Sequence, residues 1–182
     1  MKSKLITLSA VSAALTALSL TIGAYFEVAD LFALVLSSAF VILPLYFKSK
    51  TASFLSFFVG GILGVIFSGF NFTYSIVFPA FFTFFGIYPI VRNIIIEKNF
   101  NNVLAVIIGL IWCIAVFYGM YFYYTGVMGL DLSSLPSWMP AWVSDFIIYF
   151  IGLISVVFYF IFDRYVIVVK YFFDRYLNRI IK

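Results

Sequence analysis

Long apolar runs separated by short polar segments occupy almost the whole chain. Six of these runs have the length of a membrane-spanning helix, which needs about 20 residues to cross a hydrocarbon core of about 30 Å. They cover residues 5–26, 31–47, 52–70, 72–96, 103–125 and 142–162. The pattern predicts an all-α integral membrane protein, a single domain built as a bundle of six transmembrane helices.

The composition agrees with this pattern. The chain of 182 residues is 65% hydrophobic and 10% charged, and its mean hydropathy is +1.18. These values lie far from those of soluble globular domains. Six helices and their connections use the whole length, so we expect no separate soluble catalytic or nucleotide-binding domain.

The basic residues lie on one side of the six-span pattern. They lie before the first run, between the second and third runs, at the end of the fourth run and just after it, and beyond the sixth run. Short loops rich in Lys and Arg stay in the cytoplasm, which predicts a multi-pass plasma-membrane protein with both termini inside. Their position beside apolar runs favours contact with the lipid bilayer and argues against nucleic-acid binding. The residues are Lys2, Lys4, Lys48, Lys50, Arg92, Lys98, Arg164, Lys170, Arg175, Arg179 and Lys182.

Few residues of the chain suit catalysis. Histidine is absent, which removes the usual general base and the commonest metal ligand. Asp145 is the only carboxylate expected at appreciable depth in a span, so a two-carboxylate or ion-coupling site lacks partners. Cys113 is the single cysteine. We therefore expect no enzyme activity, no cofactor and no metal site.

Small residues form a strip on the first predicted helix. Ala10 and Ala14 are four residues apart, and so are Ala13 and Ala17, which lets two helix backbones approach closely in lipid. A second strip with Gly60, Gly61, Gly64 and Ser68 lies on the third run. Two interpretations stay open: the strips pack the bundle internally, or the alanines form an interface with another membrane protein.

Aromatic residues are concentrated where the topology predicts the outer half of the bundle. Most are expected to anchor the helices at the membrane interface. A subset combined with nearby polar groups is a candidate pocket for a flat small molecule. Asp145 is its candidate carboxylate, although an interfacial Asp near a helix start also suits the helix dipole. The candidate substrate-binding residues are Asn71, Tyr74, Tyr118, Tyr121, Trp138, Trp142 and Asp145.

The sequence of residues 163–182 predicts an amphipathic tail on the cytoplasmic side. The tetrapeptide Phe-Asp-Arg-Tyr at 162–165 recurs at 173–176, eleven residues later, so both copies share one helix face. The segment is either a cytoplasmic continuation of the last helix or an interfacial amphipathic helix. An anchor on the membrane surface and a docking site for a cytoplasmic partner both fit it.

In topology and packing strips, the chain resembles the S components of energy-coupling factor (ECF) transporters, which bind vitamins. Those proteins are six-helix bundles of about this length with an Ala-xxx-Ala strip on the first helix, matched here by Ala10 and Ala14 or by Ala13 and Ala17. The segment Phe-Phe-Gly-Ile-Tyr-Pro-Ile-Val-Arg at 84–92 is similar to one in six-span proteins grouped loosely with them. No signature of the thiamine, riboflavin or biotin members is present.

The resemblance implies a function in micronutrient uptake. Such a subunit captures a vitamin-like molecule in an outward pocket closed by connections that correspond here to 26–31, 69–72 and 126–141. It then associates with a transmembrane coupling protein and two cytoplasmic ATPases. Because the predicted outer face lacks Lys and Arg, we expect a neutral or cationic, ring-containing substrate. The alternative is a structural or accessory subunit of a membrane complex without a ligand, and another kind of transporter or channel also remains.

Overall fold

A computed structural model describes residues 2–47, 49–70, 76–98, 100–126, 129 and 142–180. This part of the chain is helical almost throughout and contains no β-strand, which confirms the all-α prediction. Seven α-helices, two short 3₁₀ helices and one π-helical turn follow one another. They are α1 (Lys2–Tyr25), a 3₁₀ helix (Glu27–Ala29), α2 (Asp30–Ile42), a 3₁₀ helix (Leu43–Phe47), α3 (Lys50–Phe67), α4 (Val77–Ala80), the π-helix (Phe81–Phe85), α5 (Tyr88–Glu97), α6 (Asn102–Gly126) and α7 (Trp142–Ile180).

Five described helical stretches are long and apolar enough to cross a membrane. They are Leu5–Tyr25, Lys50–Phe67, Val77–Glu97, Asn102–Gly126 and Phe146–Phe173. The apolar stretch Asp30–Leu45 is shorter than these five. The helices therefore agree with a membrane protein.

Consecutive long helical segments alternate in direction along the chain, so α1 runs parallel to α3, its neighbour in the bundle. Ser56 on α3 lies beside Ser9 on α1, and Gly64 lies beside Leu20 further along both helices. The start of α3 meets the end of α5 through Lys50 and Glu97, and Lys170 of α7 joins them through Asn93. We call this end of the bundle the basic end, and the opposite end, where α1 and α3 terminate, the far end.

The contact between α1 and α3 depends on small residues. A Cβ added to Gly60 would lie 2.8 Å from the Cβ of Thr16 and 3.0 Å from the carbonyl oxygen of Ala13. Only glycine therefore permits this separation of the two backbones. Such close packing joins helices in lipid, where the hydrophobic effect does not.

Buried serine hydroxyls tie α1, α2 and α3 together. Ser56 donates a hydrogen bond to the carbonyl oxygen of Ser9 at 3.1 Å, and Ser53 donates to that of Val41 at 2.5 Å. Ser12 donates to the carbonyl oxygen of Phe40 in the same way. The Ser56 hydroxyl also lies 2.9 Å from the carbonyl oxygen of Ala52 on its own helix. These bonds give buried hydroxyls the partners that burial requires.

Aromatic rings fill the space between this three-helix unit and the helices that follow it. Phe57 of α3 packs against Phe81 of the π-helix, with ring centroids 5.3 Å apart. On the other side, the Phe84 ring lies 5.6 Å from that of Phe162 on α7. These rings form the core that positions α5 and α7.

Helices α6 and α7 form an antiparallel pair. A Cβ on Gly109 would lie 2.5 Å from the Tyr159 hydroxyl, so glycine again sets the separation of the helices. Most of the remaining surface of this pair is apolar and exposed, as expected for helices that face lipid.

Helix α7 is longer than the sixth apolar run of the sequence. It continues without a break through residue 162 and has 39 residues. The stretch of α7 suited to crossing a membrane runs from Phe146 to Phe173. The first part of the predicted tail, from Asp163 to Phe173, thus belongs to this apolar stretch.

Candidate ligand cavity, docking groove and polar network

A half-open cavity of about 530 Å³ lies on the side of the bundle between the α4–π-helix segment and α6, where Thr83, Ala115 and Gly119 are exposed. It extends from the middle of the bundle toward the far end. Four residues before and within the π-helix form one wall, and six residues on one face of α6 form the other. The lining residues are Ile76, Pro79, Ala80, Thr83, Trp112, Ala115, Val116, Gly119, Met120 and Tyr123.

Local backbone features shape both walls of the cavity. Pro79 cannot donate a backbone hydrogen bond, and the π-helix at Phe81–Phe85 follows directly. Such π-helical turns occur frequently at functional sites. On the opposite wall, a Cβ added to Gly119 would have no atom within 4 Å. Gly119 is exposed on this wall, so a large side chain there would project into the open space of the cavity.

The cavity offers an apolar environment with a few polar groups. None of its lining residues carries a charge. Thr83, Tyr123 and Trp112 contribute two hydroxyls and an indole N–H, and the Thr83 hydroxyl donates back to the carbonyl oxygen of Pro79 at 2.6 Å. Pockets of this kind bind largely apolar molecules and orient them through a small number of hydrogen bonds.

The two described tyrosines among the predicted substrate-binding residues lie outside this cavity. Tyr118 donates a hydrogen bond to the carbonyl oxygen of Ile148 at 2.9 Å, so it joins α6 to α7. The ring of Tyr121 packs against that of Phe122, with centroids 5.5 Å apart. The structure thus brings neither side chain to the wall that lines the cavity.

The other predicted substrate-binding residues are not described at side-chain level. Asn71, Tyr74 and Trp138 lie outside the described residues. Trp142 and Asp145 are in the first turns of α7, but their side chains also lie outside the described part of the structure. Both interpretations of Asp145 therefore stay open: a carboxylate of a ligand pocket, or an interfacial residue near the start of a helix.

An apolar groove of about 330 Å³ lies between α1 and α3 near the basic end. Ala10 and Ala13 of the predicted partner interface belong to its wall. The groove is open along one side, and Ala10 is exposed in it. Its lining residues are Leu5, Ile6, Ser9, Ala10, Ala13, Ser49, Thr51, Ala52, Leu55 and Val59.

The four predicted interface alanines are divided between two environments. Ala13 is 4% exposed and Ala17 is fully buried, because both lie on the side of α1 that packs within the bundle. Ala10 and Ala14 are exposed. The internal-packing interpretation therefore describes one pair, while the other pair is accessible to a partner.

A buried polar network joins α5, α6 and α7 between the cavity and the basic end. Arg92 donates from Nε to the Asp163 Oδ1 at 2.7 Å and from Nη2 to Oδ2 at 3.2 Å. Tyr88 donates to Asp163 at 2.6 Å, and Arg92 also donates to Asn102 at 3.0 Å. Paired charges and complete hydrogen bonding make burial of such groups tolerable.

A second group of polar contacts lies at the basic end itself. Lys50 and Glu97 form an ion pair of 2.7 Å, and Asn93 donates to Glu97 at 3.0 Å. Lys170 in turn donates to Asn93. These contacts are partly exposed, so water and salt screen them and each contributes little to stability.

Sequence reasoning did not identify the Arg92–Asp163 pair. Asp163 follows the sixth apolar run directly and was therefore assigned to the tail. Its neighbours in the Phe-Asp-Arg-Tyr repeat strengthened that assignment. The sequence signal for the pair is a basic residue in the last turns of one apolar run and an acidic residue just after another, both near the same predicted membrane face.

The described residues contain no group of three or more Cys, Asp or Glu side chains placed to hold a metal ion. Comparison with known proteins adds no further assignment, because no family model, curated protein or solved structure matches the chain.

Proposed function

We propose that the protein is the substrate-binding subunit of a micronutrient uptake transporter, similar to the S components of ECF transporters. The observation that carries this proposal is the uncharged cavity between the α4–π-helix segment and α6. The chain would take up a neutral or cationic, ring-containing molecule and would perform no chemical step itself. Energy would come from a coupling protein and two ATPases.

The proposal places six helices across the plasma membrane. The stretch Asp30–Leu45 is the short second span. At about 1.5 Å per residue it reaches about 24 Å, so it crosses upright and the bilayer thins locally around it. The basic end faces the cytoplasm, since it carries Lys50, Lys98 and Lys170. The far end and the cavity then face outward.

The chemistry of the cavity supports a ligand class. Its apolar walls favour rings and alkyl groups, and Trp112 brings an indole N–H and Thr83 a hydroxyl oxygen that can accept a hydrogen bond. An anion would lose its hydration there without meeting a basic side chain. Neutral ring compounds therefore fit best, and a cation would gain from the Trp112 and Tyr123 rings.

The groove between α1 and α3 supports an interface with the coupling protein. It is apolar and lies near the basic end. The small side chains of Ala10 and Ala13 leave space along its wall. A helix from a partner could approach α1 closely at such small residues. Ala14 adds exposed surface beside it. In this arrangement the ligand cavity and the partner interface lie at opposite ends of the bundle.

A thermal-shift assay on the purified protein tests the ligand site. A panel of vitamins and related heterocycles is added, and we expect one compound to raise the unfolding midpoint, with a shift that grows with the logarithm of its concentration above Kd. Gly119→Phe fills the cavity and should abolish this increase. Gly126→Phe is the matched control, because a Cβ there also meets no atom within 4 Å but the residue does not line the cavity.

The alternative function is that of a structural or accessory subunit of a membrane complex. The groove between α1 and α3 would serve that role equally, since it needs no ligand. The two functions differ in the assay above. A protein that no compound stabilises, and whose Gly119→Phe variant still assembles with its partners, would support the accessory role.

A further inference from the structure

An arginine lies in the middle of an exposed apolar surface on α7. Arg164 is exposed, and the side chains before and after it on the same face are apolar and at least half exposed. This arrangement continues for about three turns on the side toward the membrane centre. The neighbours are Leu153, Val157, Phe160, Ile161 and Val168.

Along α7, Arg164 lies closer to the membrane centre than the polar contacts of the basic end. It precedes Lys170 by six residues, which corresponds to about 9 Å along the helix. Lys170 reaches Asn93 in the network that marks the basic end. Asp163, the residue before Arg164, is inside the bundle and paired with Arg92. Arg164 therefore projects at this depth toward lipid.

The charge of Arg164 lacks a protein partner in the described part of the chain. No carboxylate there forms an ion pair with it. Its Cα–Cβ bond also tilts toward the start of α7, away from the basic end. The side chain thus leaves the helix in the direction of the membrane centre, where an unpaired charge is costly. A long arginine side chain lowers this cost by bending back toward the lipid head groups, where an anionic phosphate can pair with it.

A shallow apolar groove begins next to Arg164 and runs toward the membrane centre. It has a volume of about 310 Å³ and is lined by Leu153, Ile154, Val157, Phe158 and Ile161 of α7. From Leu153 to Ile161 it extends for about 12 Å along the helix. An arginine followed by an apolar groove matches a phospholipid, which has a charged phosphate followed by an acyl chain.

We propose that this face of α7 binds one anionic phospholipid of the leaflet at the basic end. Arg164 holds the phosphate by charge-assisted hydrogen bonds, and one acyl chain lies in the groove. A second copy of the chain does not satisfy Arg164, because a twofold-symmetric pair would bring another arginine to the same depth. The proposal is independent of the transport function.

Native mass spectrometry of the full chain in detergent tests this site. The protein is titrated with dioleoyl phosphatidylglycerol and, separately, with dioleoyl phosphatidylcholine. We expect one phosphatidylglycerol to bind about tenfold more tightly than phosphatidylcholine, and Arg164→Gln to remove this difference. Arg164→Lys should keep part of it. Arg175→Gln, an exposed arginine on the same face, is the matched control and should bind as the unchanged protein does.

Further arms of the experiment identify the source of the anion. Soluble glycerol 1-phosphate should not displace the lipid if the groove holds its chain. Retention of the phosphatidylglycerol preference in a folded, monodisperse Arg164→Gln variant would overturn the proposal. A second result would also overturn it. If the Arg164→Gln variant binds lipid as before but no longer copurifies with an acidic membrane protein, Arg164 belongs to a protein interface.

Discussion

Arg92 on α5 and Asp163 on α7 form an ion pair inside the bundle, with two guanidinium nitrogens 2.7 and 3.2 Å from the two carboxylate oxygens. Both side chains are at least nine-tenths buried. Tyr88 and Asn102 complete the hydrogen bonding around them. The pair fixes the position of α7 against α5 at one level along the bundle.

Asp163→Asn should destabilise the protein strongly. It removes the negative charge and leaves Arg92 buried without compensation, which costs about 3–5 kcal/mol of unfolding free energy. The measurement is the thermal unfolding midpoint in a mild detergent. Lys50→Gln is the control, because it breaks a partly exposed ion pair and should cost about 1 kcal/mol or less. Equal effects of the two substitutions would contradict a structural role for the buried pair.

Gly60→Leu should weaken the contact between α1 and α3. The added Cβ would overlap Thr16 and approach the backbone of Ala13, and neither can move away easily. We expect a loss of about 1–3 kcal/mol from this overpacking. Gly119→Leu places the same side chain in open space and should leave the unfolding midpoint nearly unchanged. A well-tolerated Gly60→Leu would mean that the two helices are further apart than described.

Cysteine labelling should locate the two ends of the bundle. Cys113 is buried, and Cys113→Ala gives a background without thiols. In that background, Gly126→Cys should react with a membrane-impermeant maleimide on intact cells, and Lys98→Cys should react only after permeabilisation. This result follows from a cytoplasmic basic end. Labelling of Lys98→Cys in intact cells would reverse the proposed orientation.

The helices were largely predictable from the sequence because apolar runs of this length have one stable form in lipid, the helix. The sequence left open whether the last helix continues past 162, and α7 does so without a break. Hydropathy ends a span at its first charges, so Asp163 and Arg164 closed the sixth run at 162. In the structure Asp163 is neutralised by Arg92, and the apolar stretch continues to Phe173. A single sequence places the two residues near the same membrane face but does not show that they pair.

The cavity was less predictable than the helices. Pro79 indicates a break in the fourth apolar run, but the π-helix after it depends on how Phe81 and Phe84 pack against other helices. Aromatic content drew attention to Tyr118, whose hydroxyl binds the backbone of α7. Gly119, the next residue, carries no chemical signal, yet it lies exposed on the cavity wall and places no side chain in the open space. Cavities depend on absent atoms, which sequence patterns do not report.

The central claim is that the cavity beside Gly119 binds a small molecule. Its most direct test is mass spectrometry of the small molecules that copurify with the protein expressed without partners. We predict one ring-containing, uncharged or cationic compound in stoichiometric amount, absent from Gly119→Phe and retained in Gly126→Phe. Preparations of the unchanged protein that contain only lipid, or a compound retained equally in Gly119→Phe, would contradict the claim.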